Sequence, residues 1–338
     1  MQLRIFPMKC SAPCKIILFG EHAVVYDKLG IAAAIDEKTF VEVSEGDEGI
    51  EIVWRGESLR ISETELFNKL NLFRQFYKNR DFEKLQSFSY YDSLIVVIAE
   101  CMSRFGYRNL KIEINFDKLL KGIGRSSSVY VAMSLAISNF LGHNLSVEET
   151  SEIAYLGDII VHAGTPSGID TNTVTMGGYL SYRKSTGINK LKIGYKLPLI
   201  VVDSGESSQT GTTIKLVKRL KEEKPKYTDQ ILNEIDLISS GIVESLQNQN
   251  LEQIGKLMYR NHELLRKLGV STDRLDSIVK IGMENGALGG KLTAGGGGGC
   301  AIILTRNEQE ALNLVGKFNE LGYNALYTLI GVEGARIE

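Results

Sequence analysis

Apolar residues at Leu66, Leu70, Leu72, Phe73 and Phe76, set in a polar stretch that follows Ser62-x-x-Glu65, predict an amphipathic helix over 63–80. Residues 91–105 predict a more buried helix, and 109–116 alternate Leu110, Ile112, Ile114 and Phe116 with polar neighbours, the period of a half-buried strand. Upstream, 9–53 reads as successive strands, with β-favouring runs at 15–19 and 39–43 broken by Gly20, Gly30 and Gly46. An apolar helix is expected over 127–141, and Ser146-x-x-Glu149 opens another that runs to 162. Strands at 179–182 and 199–202 flank a polar turn over 184–189, where a boundary between domains 1–187 and 188–338 is expected. Then come helices over 211–223, 228–247, 251–268 and 272–285, strands at 289–293 and 300–304 around a glycine run, a helix over 307–321 and a strand at 325–330. This mixed order predicts an α+β arrangement.

Composition mainly excludes. The 338 residues carry 39 Lys and Arg against 41 Asp and Glu, a net charge of −2, so no bulk positive field draws in nucleic acid or an anionic membrane. No apolar run reaches the roughly 18 to 20 residues that cross a bilayer, and residues 1–10 lack the apolar core of a signal peptide. Four cysteines (Cys10, Cys14, Cys101, Cys300) are too few to staple the chain, and Cys10 and Cys14 have no second ligand pair for zinc; a reduced, cytoplasmic setting is expected. Glycine is the informative excess, 34 against 5 Pro, concentrated between predicted elements where backbone approaches a ligand closely.

Four segments carry candidate chemistry. Gly122-Ile-Gly124-Arg125-Ser126-Ser127-Ser128 lies between a strand and a helix, where unpaired N–H groups and the helix dipole suit a phosphate; taken alone, the loop is better read as a serine cap after a glycine turn. It matches neither the Rossmann nor the Walker pattern, because Ser127 stands where the first needs Gly and Gly290-Lys291 is followed by Leu292. Gly164-Thr-Pro166-Ser-Gly168-Ile-Asp170 follows a helix carrying Asp158 and His162; its tight turn aims Asp170 as a rigid carboxylate or simply stops the helix. Lys291-Leu-Thr293-Ala294 leads into Gly295, Gly296, Gly297, Gly298 and Gly299 between two strands, which favours close approach over a linker. Lys15, Gly20, Glu21 and His22 bracket a core strand, against the plainer reading of a solvated edge.

Taken in order, Pro13-x-Lys15, Gly20-Glu21-His22-Ala-Val-Val-Tyr26, Gly122-x-Gly124-x-x-Ser127-Ser128, Pro166-Ser-Gly168-Ile-Asp170 and Lys291-x-Thr293 with its glycines resemble the GHMP family of small-molecule kinases, which includes galactokinase, homoserine kinase and mevalonate kinase. The Gly20–Tyr26 string is most similar to that of the mevalonate kinases, and the resemblance runs over 9–304. It implies an N-terminal domain like domain 2 of ribosomal protein S5, a ferredoxin-like C-terminal domain, and a cleft between them that moves the γ-phosphoryl of ATP to a hydroxyl with Mg²⁺, here the C5 hydroxyl of mevalonate. A sister kinase acting on phosphomevalonate or another alcohol, and a non-catalytic nucleotide-binding relative, are the alternatives; retention of Lys15 and Asp170 argues against the last.

By the same resemblance Asp170 is the base and Lys15 its companion; Gly122, Gly124, Arg125, Ser126, Ser127 and Ser128 hold ATP phosphates; and Ser128 with Asp158 binds Mg²⁺, given one extra residue beside Ala163. Glu21, His22, Thr213 and Gly296 line the substrate pocket, with Gly296 to Gly298 closing over it. The family places Leu and Gly where Arg125 and Ser126 stand, alanines at Val129 and Tyr130, Gly at Cys14, and the inverted pair at Ala294-Gly295. Where many mevalonate kinases carry an Arg for the substrate carboxylate, this chain has Gly211; Arg183 or Lys184 is the candidate replacement. The family leans towards homodimers.

Overall fold

Residues 10–16 are buried without a break, so the strand they form is covered on both faces. This strand, β1 (Met8–Phe19), runs antiparallel to the 16-residue β2 (Gly30–Glu45). A short 3₁₀ turn (Ala23–Tyr26) joins them, framed by left-handed His22 and Asp27. The molecule is described by a computed structural model covering residues 6–117, 122–162, 164 and 166–338. The chain start read for a signal peptide, the first part of the glycine and serine loop (118–121), Ala163 and Thr165 lie outside the described residues.

The hairpin β3 (Ile50–Trp54) and β4 (Glu57–Ile61) leads to α1 (Glu63–Lys78), α2 (Phe82–Leu85), α3 (Tyr90–Phe105) and β5 (Leu110–Phe116). Then follow α4 (Arg125–Phe140), α5 (Val147–Val161), α6 (Ile169–Met176), β6 (Tyr179–Arg183), β7 (Gly187–Leu191) and β8 (Leu197–Asp203). The rest is α7 (Thr210–Glu223), α8 (Pro225–Gln247), α9 (Leu251–Lys267), α10 (Asp273–Glu284), β9 (Gly289–Leu292), β10 (Cys300–Leu304), α11 (Glu308–Glu320), β11 (Asn324–Ile330) and β12 (Arg336–Ile337). Reciprocal capping boxes at Ser62 with Glu65, Ser89 with Asp92, and Ser146 with Glu149 start α1, α3 and α5, each stabilising its helix by about 1 kcal/mol.

One sheet runs β4-β3-β5-β2-β11-β8-β10-β9, and β2 is its seam. One edge of β2 pairs with β1 from Ile31 to Val43; the other pairs with β6 from Gly30 to Ala33, with Ile330 of β11 at Ile35, and with β5 from Thr39 to Glu45. One apolar core lies under α1, α3, α4 and α5, with Leu66, Phe73, Val97 and Val131 buried in it. The other gathers β8 and β10 with α8 to α11 through Ile200, Ile235, Met258 and Ile302. Among the described residues no helix is long and apolar enough to cross a membrane.

Two expected segments fold otherwise. The polar turn over 184–189 closes by 186, and β7 pairs with β6 from Gly187↔Arg183 to Leu191↔Tyr179; at the sheet edge Asn189 and Lys190 stay exposed, so no apolar alternation marks the strand. The expected boundary at 187/188 therefore falls at the start of β7, in a hairpin held to β2 through β6. The tight turn expected up to Asp170 gives way to a helix: residues 169–176 form α6 despite poor helix formers. Thr173 and Thr175 hydroxyls bond back to the Ile169 and Thr171 carbonyls at 2.6 and 2.7 Å, which satisfies them inside a buried helix.

Candidate active site

The register of β1 on β2 slips between Pro13 and Cys14, a bulge that re-aims the side chains after it. Lys15 follows the slip; its N–H donates to the Ile123 carbonyl at 2.8 Å and its Nζ lies 2.8 Å from Asp170 Oδ1, the two side chains 7% and 19% exposed. The lysine stem passes over Gly124, where a Cβ would sit 2.6 Å from both Cγ and Cε. Because Gly124 is also left-handed, at φ 69°, both sterics and backbone demand glycine there.

Asp170 stands in the first turn of α6, after left-handed Gly168. Burial pushes its carboxyl up, but Lys15 and then His162, whose Nε2 is 3.7 Å from Oδ2, outweigh burial and hold it below the ordinary range. Asp170 is thus an ionised acceptor with a cation against one oxygen.

Beside this pair α4 begins at Arg125 with no side-chain cap, so its first-turn N–H groups lack intrahelical partners where Gly124, Arg125, Ser126 and Ser127 line the cavity. Arg125 lies on the Phe116 ring, 4.5 Å from its centroid. Ser127 Oγ donates to Asp158 Oδ1 at 2.9 Å. Burial, with the charge of Asp170, pushes the Asp158 carboxyl up to about 8, and its buried Oδ2 has no hydrogen-bond partner among the described residues. Ser128, expected beside Asp158 as a Mg²⁺ ligand, has its hydroxyl on other partners. Successive helical residues point about 100° apart; with Ser127 turned to α5, Ser128 turns to the sheet, fully buried against the Thr39 hydroxyl and 3.7 Å from Cys14 Sγ.

The cavity, about 420 Å³, is walled by both halves of the chain and gathers Lys15, Glu21, His22, Gly122, Gly124, Arg125, Ser126, Ser127, Asp158 and Asp170. Thr213 and Gly296 are not on its wall; Thr213 Oγ1 donates to the Gly295 carbonyl at 2.8 Å, and Gly296 fits under the Val270 carbonyl. Arg183 is committed elsewhere, 2.7 Å from Asp236 and donating to the Asp27 carbonyl at 2.8 Å, while Lys184 is exposed; neither lines the cavity. Gly211 sits in the first turn of α7, with open space where a side chain would be. Sequence reasoning missed Tyr182, Ser208 and Thr210 on the wall and Asn261 behind it. Only Asn261 had a visible signal, an amide on the apolar side of a strongly amphipathic helix.

Comparison with known proteins identifies the family and the fold. The family described as "GHMP kinases N terminal domain" matches residues 93–178, and "GHMP kinases C terminal" matches 242–324. The chain is 33% identical to the mevalonate kinase of Thermococcus gammatolerans over 341 residues and 34% identical to that of Pyrococcus furiosus over 346, covering 97% of each partner in both cases. Its fold is similar to the crystal structure of L. major mevalonate kinase in complex with R-mevalonate, with a TM-score of 0.79 and 27% identity over 96% of both chains. The Methanococcus jannaschii mevalonate kinase structure gives 0.79 at 30% identity, covering 99% of this chain and all of that one.

Proposed function

Because this chain belongs to the GHMP kinase family, we propose that its cleft transfers the γ-phosphoryl group of ATP to the C5 hydroxyl of mevalonate, giving 5-phosphomevalonate and ADP. The observation that carries the reading is the Lys15–Asp170 pair, 2.8 Å apart, set beside the uncapped start of α4 on the wall of one cavity. Asp170, ionised, accepts the hydroxyl proton as the oxygen attacks; Lys15 holds that carboxylate in place and offsets negative charge growing at the oxygen. The N–H groups of the first turn of α4 receive phosphate oxygens, and the stem of Lys15 against Gly124 ties the two sets of groups together.

Mg²⁺ fits the donors present. Asp158 Oδ2 is a buried carboxylate oxygen without a hydrogen-bond partner among the described residues, and the Ser127 hydroxyl lies beside it, both hard oxygens. Asp158 with Ser127 would hold the ion, and Ser128 would join only by turning from Thr39. When bound, the ion supplies neutralisation of phosphate charge. His22, Ala294 and Gly295 form the substrate side, in a protein we take to be a cytoplasmic homodimer, whose dimeric state the mass in solution checks.

The test is Mg²⁺-dependent ADP release from purified protein with mevalonate, phosphomevalonate, homoserine or galactose, beside a control without acceptor. Turnover on mevalonate alone is expected. Turnover only on another acceptor would replace the substrate and keep the phosphate site.

A further inference from the structure

Glu21 lines the cavity, yet its side chain is 1% exposed and both carboxylate oxygens are engaged. Oε1 is ion-paired with Lys291, and Oε2 accepts from Asn261 Nδ2 at 3.2 Å. Lys291, fully buried in β9, also donates to the Leu292 carbonyl at 2.7 Å and lies over the Phe19 ring. Two charges taken out of water in this way are a poor means of gaining stability, which directs attention to what they orient.

The contact belongs to a series. Three residues on the way from β9 into the turn that follows it reach across to the β1 side: Lys291 to Glu21, Thr293 Oγ1 to the Ile17 carbonyl at 2.7 Å, and the Gly295 carbonyl to His22 Nε2 at 2.8 Å. A carbonyl only accepts, so His22 carries a proton on Nε2; burial pushes the ring's pKa down, which favours the neutral form with Nδ1 as an acceptor. His22 reaches that position at φ 61°, which a non-glycine residue holds only when its surroundings impose it.

We infer that Lys291 is a positioning residue for substrate recognition: by pairing with Glu21 in a dry seam it holds the Gly20–Glu21–His22 turn, so that His22 meets the substrate as a neutral hydrogen-bond acceptor for a hydroxyl. Glu21 then acts through the turn and does not touch substrate. The substrate named here rests on the function proposed above.

The experiment compares wild type, Lys291→Met, and the double variant Glu21→Gln with Lys291→Met, which buries no charge. Lys291→Met is expected to raise the mevalonate KM by about tenfold or more, with the ATP KM within about twofold. In substrate-free protein labelled with ¹⁵N-histidine, the His22 ring nitrogens should change from a single Nε2–H tautomer to a mixture. The double variant should regain melting temperature but neither the KM nor the tautomer, a split that a purely structural ion pair would not give. An unchanged KM and tautomer in Lys291→Met, or full recovery of both in the double variant, overturns the inference. If Lys291→Met does not fold, the double variant alone decides. If wild type fails to phosphorylate mevalonate, the substrate reading falls, and the ring-nitrogen spectra still decide this one.

Discussion

Gly124→Ala tests whether the phosphate loop and the catalytic pair are one device. The new Cβ would lie 2.6 Å from Lys15 Cγ and Cε and 2.9 Å from Cδ, against an ordinary contact of 3.4 Å or more. The stem must therefore retreat by about 0.8 Å, the difference of those two distances. Because Cγ, close to the backbone, is among the atoms met, turning the tip alone gives no relief, and Nζ leaves its place 2.8 Å from Asp170. A displacement of about 1 Å at a reacting group lowers the rate by about 10²-fold. Gly122→Ala is the internal control: at φ 80° it carries a similar left-handed strain of about 1–2 kcal/mol, but its Cβ meets nothing closer than 3.8 Å. Steady-state kinetics should show kcat about a hundredfold lower in Gly124→Ala and within about fivefold of wild type in Gly122→Ala. Equal losses would mean that backbone strain, not the lysine stem, sets the effect, and would refute the reasoning.

Asp170→Asn should lower kcat by about 10³-fold or more while the ATP KM stays within about threefold; near-normal turnover would remove Asp170 as the base. Asp158→Asn should raise the Mg²⁺ concentration for half-maximal rate by about tenfold, and an unchanged requirement would place the ion elsewhere. In ligand-free protein Asp158, held up to about 8, keeps a proton that the unfolded chain releases in the ordinary carboxylate range. Stability should therefore fall as pH rises to about 8 and level off above, a slope that Asp158→Asn flattens in melting temperatures measured across pH. Gly157→Ala would set a Cβ 2.6 Å from the buried Tyr130 ring, and overpacking of about 1–3 kcal/mol should exceed the roughly 1 kcal/mol gained in helix propensity, lowering the denaturant midpoint.

Most helices were legible because capping boxes and helical apolar spacing are local signals, and the structure starts α1 and α5 where Ser62 and Ser146 foretold. The glycines were legible for a related reason: Gly122 and Gly124 adopt left-handed backbone that few other residues tolerate. Rotational phase was not local. Whether Ser127 or Ser128 meets Asp158 depends on which face of α4 packs on the sheet, and buried residues surround that helix almost completely, so no polar stripe reveals its orientation. Lys291 in a run of glycine and apolar residues resembles any solvated lysine until Glu21, 270 positions earlier, is brought against it. The helix at Asp170 hid behind threonines whose hydroxyls turn back on the backbone.

The seam strand β2 has a consequence for how the protein comes into being. Its Ile35 meets Ile330, closing a loop of 330 − 35 = 295 residues, and the Gly331 N–H donates to the Ala34 carbonyl at 2.8 Å. Closing so long a loop carries an entropy of about 5 kcal/mol, so this pairing comes late. The segment beyond it then lays β12 on β1 and gives the Ala335 N–H to the carbonyls that end α6. A chain still emerging from the ribosome would hold Lys15 and Asp170 while one edge of β8 stays open, a surface that invites pairing with other nascent chains until β11 arrives.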